Sequence, residues 1–118
     1  MAAGGAAGSV LRYLAAVRWP ADAEAGLIPW ATFGVNVVGA FVLGALVGLV
    51  PAEHPARLLV GTGLCGGFTT FSTFALEGVA LAEGGALGRG AAYMLGSVAL
   101  GIAAAAGGVM LGRRVGGL

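Results

Sequence analysis

Four hydroxyl side chains, three phenylalanine rings and two adjacent glycines fall within eleven consecutive positions, "LCGGFTTFSTF" at residues 64–74, inside an otherwise apolar stretch. That set suits an ion better than a covalent reaction. Hydroxyls donate to an anion, and the edge of an aromatic ring carries the positive end of its quadrupole. Phe71 and Phe74 are three apart and project from a similar face of a helix, with Ser72 and Thr73 between them. Weak, repeated contacts of this kind let an ion leave as well as enter, because no fixed positive charge traps it. Two phenylalanines at helical spacing also make ordinary core packing, and the hydroxyls beside them favour the ion. An enzyme would need a nucleophile, a base and an orienting group together. No such trio is visible.

The other polar groups are few. Asn36 is the only carboxamide in the chain. Its NH2 serves either an anion or a hydrogen bond between helices. Tyr93 and Ser97 are four apart and share a helix face, as packing residues or as a polar row that Gly101 continues without a polar group. Arg12 and Glu77 are ionisable residues within apolar segments, where a charge costs about 2.5–3.5 kcal/mol at mid-membrane. Arg12, beside Tyr13, either snorkels to an interface or draws anions into a vestibule; Glu77 either pairs with an arginine or lines a water-filled entrance. Cys65 is the only cysteine, which excludes an intrachain disulfide and a Cys-rich metal site. His54, the only histidine, reads as a solvated loop residue between Pro51 and Pro55.

These groups need helices in lipid to hold them. The 118 residues are 58% hydrophobic and 9% charged, with 24 glycines and a formal net charge of +1. The charge balance offers no basic patch, so nucleic acid is excluded as a partner. Apolar segments at roughly 2–19, 30–50, 56–81 and 90–112 each approach or exceed the ~20 residues a spanning helix requires. The expected architecture is one all-α domain over 1–118 with four transmembrane helices and membrane lipid around it. Gly44/Gly48, Gly63/Gly67 and Gly108/Gly112 have GxxxG spacing, which permits helices to approach backbone to backbone. "ADAEA" after the first segment resembles a cleavage site, but the absence of Arg or Lys before it and Arg12 within it oppose a signal peptide.

The third segment is longer than it needs to be. As a straight helix it would measure about 39 Å against a ~30 Å hydrocarbon layer. Gly66-Gly67 followed by Thr69-Thr70 is its least helix-favouring run, so the reading places an unwound point there. Irregular backbone at that depth survives only in protein or beside a cavity or ion. Its freed carbonyls suit a cation, and two chains crossing at their breaks would supply about four oxygens. Basic residues outside the spans divide as Arg57, Arg113 and Arg114 against Arg18 and Arg89. So small a bias permits both orientations and an antiparallel dimer.

With those residues in view, the chain resembles the Fluc (CrcB) fluoride channels over essentially its whole length. "GGFTTFSTFALE" is similar to that family's third-helix signature, "LRY" and "GVNVVGAF" match the first and second helices, and Tyr93 with Ser97 matches the fourth. The resemblance implies a dual-topology homodimer in the bacterial inner membrane, conducting fluoride passively through two antiparallel pores, with a central structural sodium ion. It also implies residue roles. Phe71 and Phe74 would form the phenylalanine box and Asn36 the pore-lining amide. The backbone carbonyls of Gly66 and Thr69 would hold sodium. Ser72, Thr73, Tyr93 and Ser97 would form a polar track, while Arg12 and Glu77 match vestibule positions. Where relatives often carry another serine, this chain has Gly101. Two rivals remain: a small coupled exporter, which needs a first-helix glutamate where this chain has Arg12, and a non-conducting assembly subunit.

Overall fold

The computed structural model describes residues 1–118 and contains helices, turns and no strands. Helix α1 is Ala2–Arg18 and α2 is Trp30–Leu49. The third segment comprises α3, over 57–68, and α4, Ser72–Glu83. Within α3, Arg57–Cys65 is wound as a π-helix and Gly66–Phe68 as an α-helical turn. Helix α5 is Leu87–Gly116. It outruns the apolar segment expected at 90–112, because Leu87 and Arg113-Arg114 favour helix and no proline stops it. The connections turn at Gly26 (φ 81°) and Gly85 (φ 82°), the left-handed region that glycine enters freely.

Three stretches are long and apolar enough to cross a membrane: Trp30–Leu49, Arg57–Glu83 and Leu87–Gly116. Helix α1, with 17 residues, is at the short end of the spanning range. Only 20 of 118 residues are buried, while Leu14, Leu76, Leu95, Ile102 and Met110 are among many large apolar side chains left exposed. A chain that turns this much apolar surface outward needs lipid or further protein around it. Its longest dimension, 49 Å, is close to the ~40–45 Å of a bilayer with its headgroups.

Glycine seams set the helix pairs. A Cβ on Gly44 or Gly48 would lie 2.2 or 2.3 Å from the Ala105 or Val109 carbonyl oxygen, and one on Gly108 or Gly112 would lie 2.2 Å from that of Phe41 or Ala45. Helices α2 and α5 therefore touch backbone to backbone, each through its own GxxxG pair. Helix α1 meets α3 in the same way. There Gly4 and Gly8 face the carbonyls of Leu59 and Leu64 at 2.0 and 2.1 Å from a built Cβ, and Gly67 faces Gly5.

Polar ties hold the ends. Arg57 donates to the carbonyls of Val47 (3.1 Å) and Val50 (2.9 and 3.1 Å), filling acceptors that the end of α2 leaves open. At the opposite end Arg89 donates to the Gly26 carbonyl at 2.9 Å. Helix α4 lies on α5 and on the short turn Ala23–Ala25, around a small core of Ala23, Phe74, Leu81 and Tyr93.

Candidate functional site

The site begins where α3 stops. Gly66 and Gly67 stay helical, and the chain leaves the helix at Thr69, whose backbone is extended (φ −84°, ψ 159°). Within the expected weak run, Gly66-Gly67 with Thr69-Thr70, the second glycine belongs to the α1 seam: a Cβ on Gly67 would meet the Gly5 carbonyl at 2.4 Å, whereas Gly66 has open space beside it. The β-branched Thr69 takes the extended conformation instead, where branching is no penalty, and Thr70 after it is outside any helix.

Asn36 on α2 faces this interruption. Its Nδ2 donates to the Thr70 carbonyl at 2.9 Å, and its Oδ1 accepts from the Thr70 N–H at 2.7 Å. One carboxamide satisfies both backbone groups of a residue that has no helical partners. Its second Nδ2 hydrogen stays free for another acceptor.

Neighbouring backbone groups follow by elimination. In an unbroken helix the Thr70 N–H would bond the Gly66 carbonyl, and the Thr73 N–H would bond that of Thr69. The first goes to Asn36 and the second to the Thr70 Oγ1 at 3.3 Å. The carbonyls of Gly66 and Thr69 are left without a donor from the chain, as is that of Phe68, which the Ser72 N–H would otherwise bond. Cys65 is different: its carbonyl accepts both the N–H (3.0 Å) and the Oγ1 (2.8 Å) of Thr69. Beyond the interruption, the N–H groups of Phe71, Ser72 and Phe74 at the start of α4 have no acceptor in the chain.

A groove of about 600 Å³ opens along α2, α3 and α5 at this point. Asn36, Gly66, Thr69, Phe71, Phe74 and Ser97 all line it, so six of the residues singled out in the sequence are gathered around one space. The Oγ of Ser97 is buried without a hydrogen-bond partner. The Phe71 and Phe74 rings are 6.0 Å apart between centroids and tilted by 56°; Phe74 in turn lies 5.3 Å from the Tyr93 ring. Phe71 is 79% exposed and Phe74 only 7%, so the pair runs from the surface of the chain into its core.

Other candidates lie elsewhere. Tyr93 is behind Phe74, and its hydroxyl donates to Glu77 Oε1 at 3.5 Å. Glu77 is buried, facing hydroxyls of Tyr93 and Thr32 instead of an arginine or an open entrance. Ser72 and Thr73 are exposed on α4 outside the groove lining. Arg12 also lies outside it, donating from Nε to the Gly67 carbonyl at 3.2 Å.

Three participants escaped the sequence reading. Thr70 was one hydroxyl among four, with nothing to mark it as the partner of Asn36. Thr32 is buried over Glu77 with no signal in spacing. Gly39 did have a signal, three residues after Asn36. A Cβ there would lie 2.2 Å from the Thr69 Cγ2, so the absence of a side chain is what admits Thr69.

Comparison with known proteins bears on this geometry. The family profile described as CrcB-like protein, Camphor Resistance (CrcB), matches residues 1–109. The chain is 48% identical to the Fluoride-specific ion channel FluC of Agrobacterium fabrum over 119 residues, covering 98% of this chain and 94% of the relative. It is 46% identical to the protein of the same name from Phenylobacterium zucineum over 121 residues, with 96% and 92% covered. The protein so named in Rhizobium etli strain CFN 42 is 44% identical over 117 residues, with 96% and 93% covered.

Proposed function

The chain belongs to the CrcB family, and we propose that it is a passive fluoride channel that exports the ion across the bacterial inner membrane. The observation that carries this reading is the interrupted third segment. It leaves three carbonyls, of Gly66, Phe68 and Thr69, and three N–H groups, of Phe71, Ser72 and Phe74, without partners in the chain. Unpaired carbonyls favour a cation and unpaired N–H groups at a helix start favour an anion. A sealed structural protein would satisfy both sets internally.

In this reading all four helical segments span, and an antiparallel second copy covers the groove. The donor-free oxygens of Gly66 and Thr69 fit an alkali cation, two from each copy. A bound sodium ion would supply the positive charge that keeps such carbonyl dipoles side by side. Fluoride passes along the exposed edge of Phe71 and the free N–H donors at the start of α4. No arginine or lysine side chain lies in the groove lining to arrest it. A negative interior pushes a departing anion with about 2.3 kcal/mol per 100 mV, so no coupled energy source is required. Glu77, the carboxylate on which a coupled exporter would have to rely, is buried outside the groove lining.

The test is efflux from liposomes containing the purified protein, with a potassium ionophore to dissipate charge and chloride as the control ion. Fluoride should leave rapidly and chloride should not, and Phe71→Ile should abolish the fluoride signal. Folded, dimeric protein that passes neither anion would reject the channel reading.

A further inference from the structure

We propose that Arg12 is a positioning residue for the interruption in the third segment, acting on its backbone and not on the passing ion. Gly4, Gly8 and Arg12 stand four apart and form one row along α1. The two glycines bring α1 into backbone contact with α3, near the carbonyls of Leu59 and Leu64. The next position in the row is therefore aimed at the last turn of α3. There Arg12 Nε donates to the Gly67 carbonyl at 3.2 Å.

That carbonyl needs such a donor. In a continuous helix the Phe71 N–H would bond it, but Phe71 lies beyond the extended Thr69 and its N–H has no acceptor. The three carbonyls at this point thus meet different fates. Cys65 is closed by Thr69, Gly67 by Arg12, and Gly66 between them stays open to the groove. Asn36 holds the far side of the same bend at Thr70. Arg12 and Asn36 are two struts from two helices, and with both in place the bend keeps its shape before any cation arrives. A charged donor suits the task because hydrogen bonds from ionised groups are roughly twice as strong as neutral ones.

Cys65 provides a reporter, being the only cysteine and buried one turn ahead of the bend. The experiment measures the rate at which N-ethylmaleimide labels Cys65 in the purified full-length protein, for wild type, Arg12→Gln and Arg12→Lys, with and without sodium. Losing one charge-assisted bond should raise the population of the open bend, and the labelling rate, by about tenfold or more in Arg12→Gln. Arg12→Lys should restore much of the protection, and added sodium should slow labelling more in Arg12→Gln than in wild type. The fluoride concentration giving half-maximal efflux should stay unchanged in both variants.

Equal labelling in all three proteins, with the half-maximal fluoride concentration raised in Arg12→Gln, would overturn the proposal and make Arg12 an anion lure. If Arg12→Gln does not fold, Arg12→Met, which keeps an apolar stem but has no donor for the Gly67 carbonyl, takes its place: labelling indistinguishable from wild type at every sodium concentration counts against a strut. Although the proposal rests on the channel reading for its purpose, labelling involves no fluoride. A wild type that conducts nothing, with the labelling pattern intact, would reject the function and leave the strut standing.

Discussion

Removing the Asn36 carboxamide tests whether the bend is built or merely tolerated. Asn36→Ala deletes bonds of 2.7 and 2.9 Å and leaves the Thr70 N–H and carbonyl unpaired in a part-buried position. Each stranded group costs about 1–3 kcal/mol in soluble proteins, whereas interhelical bonds in membranes average nearer ~0.6 kcal/mol because the chain finds other partners. One such partner exists here. The Thr70 N–H regains the Gly66 carbonyl if the segment straightens, at the expense of the open oxygen and of the Phe71 orientation. The expected loss is therefore about 2 kcal/mol, read as a fall of roughly 5 °C or more in the thermal midpoint of purified protein, together with loss of fluoride efflux. Asn36→Asp keeps the acceptor for the Thr70 N–H but sets a carboxylate oxygen against the Thr70 carbonyl. It should be at least as destabilising and should also repel the anion. An Asn36→Ala protein with a wild-type midpoint and impaired efflux would refute the reasoning, because Asn36 would then act on the ion alone.

Three further substitutions probe the frame. Gly39→Ala places a Cβ 2.2 Å from the Thr69 Cγ2, and Thr69 cannot turn away without losing its bond to Cys65; efflux should fall by tenfold or more, by about 1–3 kcal/mol of overpacking, with the fold retained by circular dichroism. Arg57→Met removes three hydrogen bonds from the end of α2 but none from the groove, so the thermal midpoint should drop while efflux per folded protein is preserved. Gly108→Ala sets a Cβ 2.2 Å from the Phe41 carbonyl oxygen. Backbone cannot yield there, and the yield of monodisperse protein on size-exclusion chromatography should collapse.

Much of the frame was legible because lipid imposes simple rules. Apolar length marks the helices, and the pairs Gly44/Gly48 and Gly108/Gly112 mark a seam because only small residues let backbones touch. Gly4 and Gly8 have the same spacing and form an equal seam, although it is not among the pairs named from the sequence. The bend was legible as a run, Gly66-Gly67 followed by Thr69-Thr70, and not as a residue: within that run the helix gives way at Thr69-Thr70, while Gly67 stays helical against Gly5 of α1. The phase of α4 was not readable at all. Where a helix stops and restarts, counting by 3.6 no longer carries across from α3, although the spacing of Phe71 and Phe74 does hold locally: both line the groove, and Ser72 and Thr73 between them do not. The partners of Asn36, Arg12 and Glu77 are distant in the chain, and pairing of that kind has no local signature.

The π-helical winding of Arg57–Cys65 has a consequence for how such chains vary. Each of its bonds reaches one residue further than in an α-helix, so a turn there stores an extra residue. Deleting one residue from an ordinary spanning helix rotates everything after it by about 100°. Here a deletion can be absorbed by rewinding toward α geometry, leaving Cys65 and all that follows in register. Length differences of one residue among relatives should therefore collect between Arg57 and Cys65, where they leave the groove intact, and be purged between Gly66 and Phe74, where nothing can take them up.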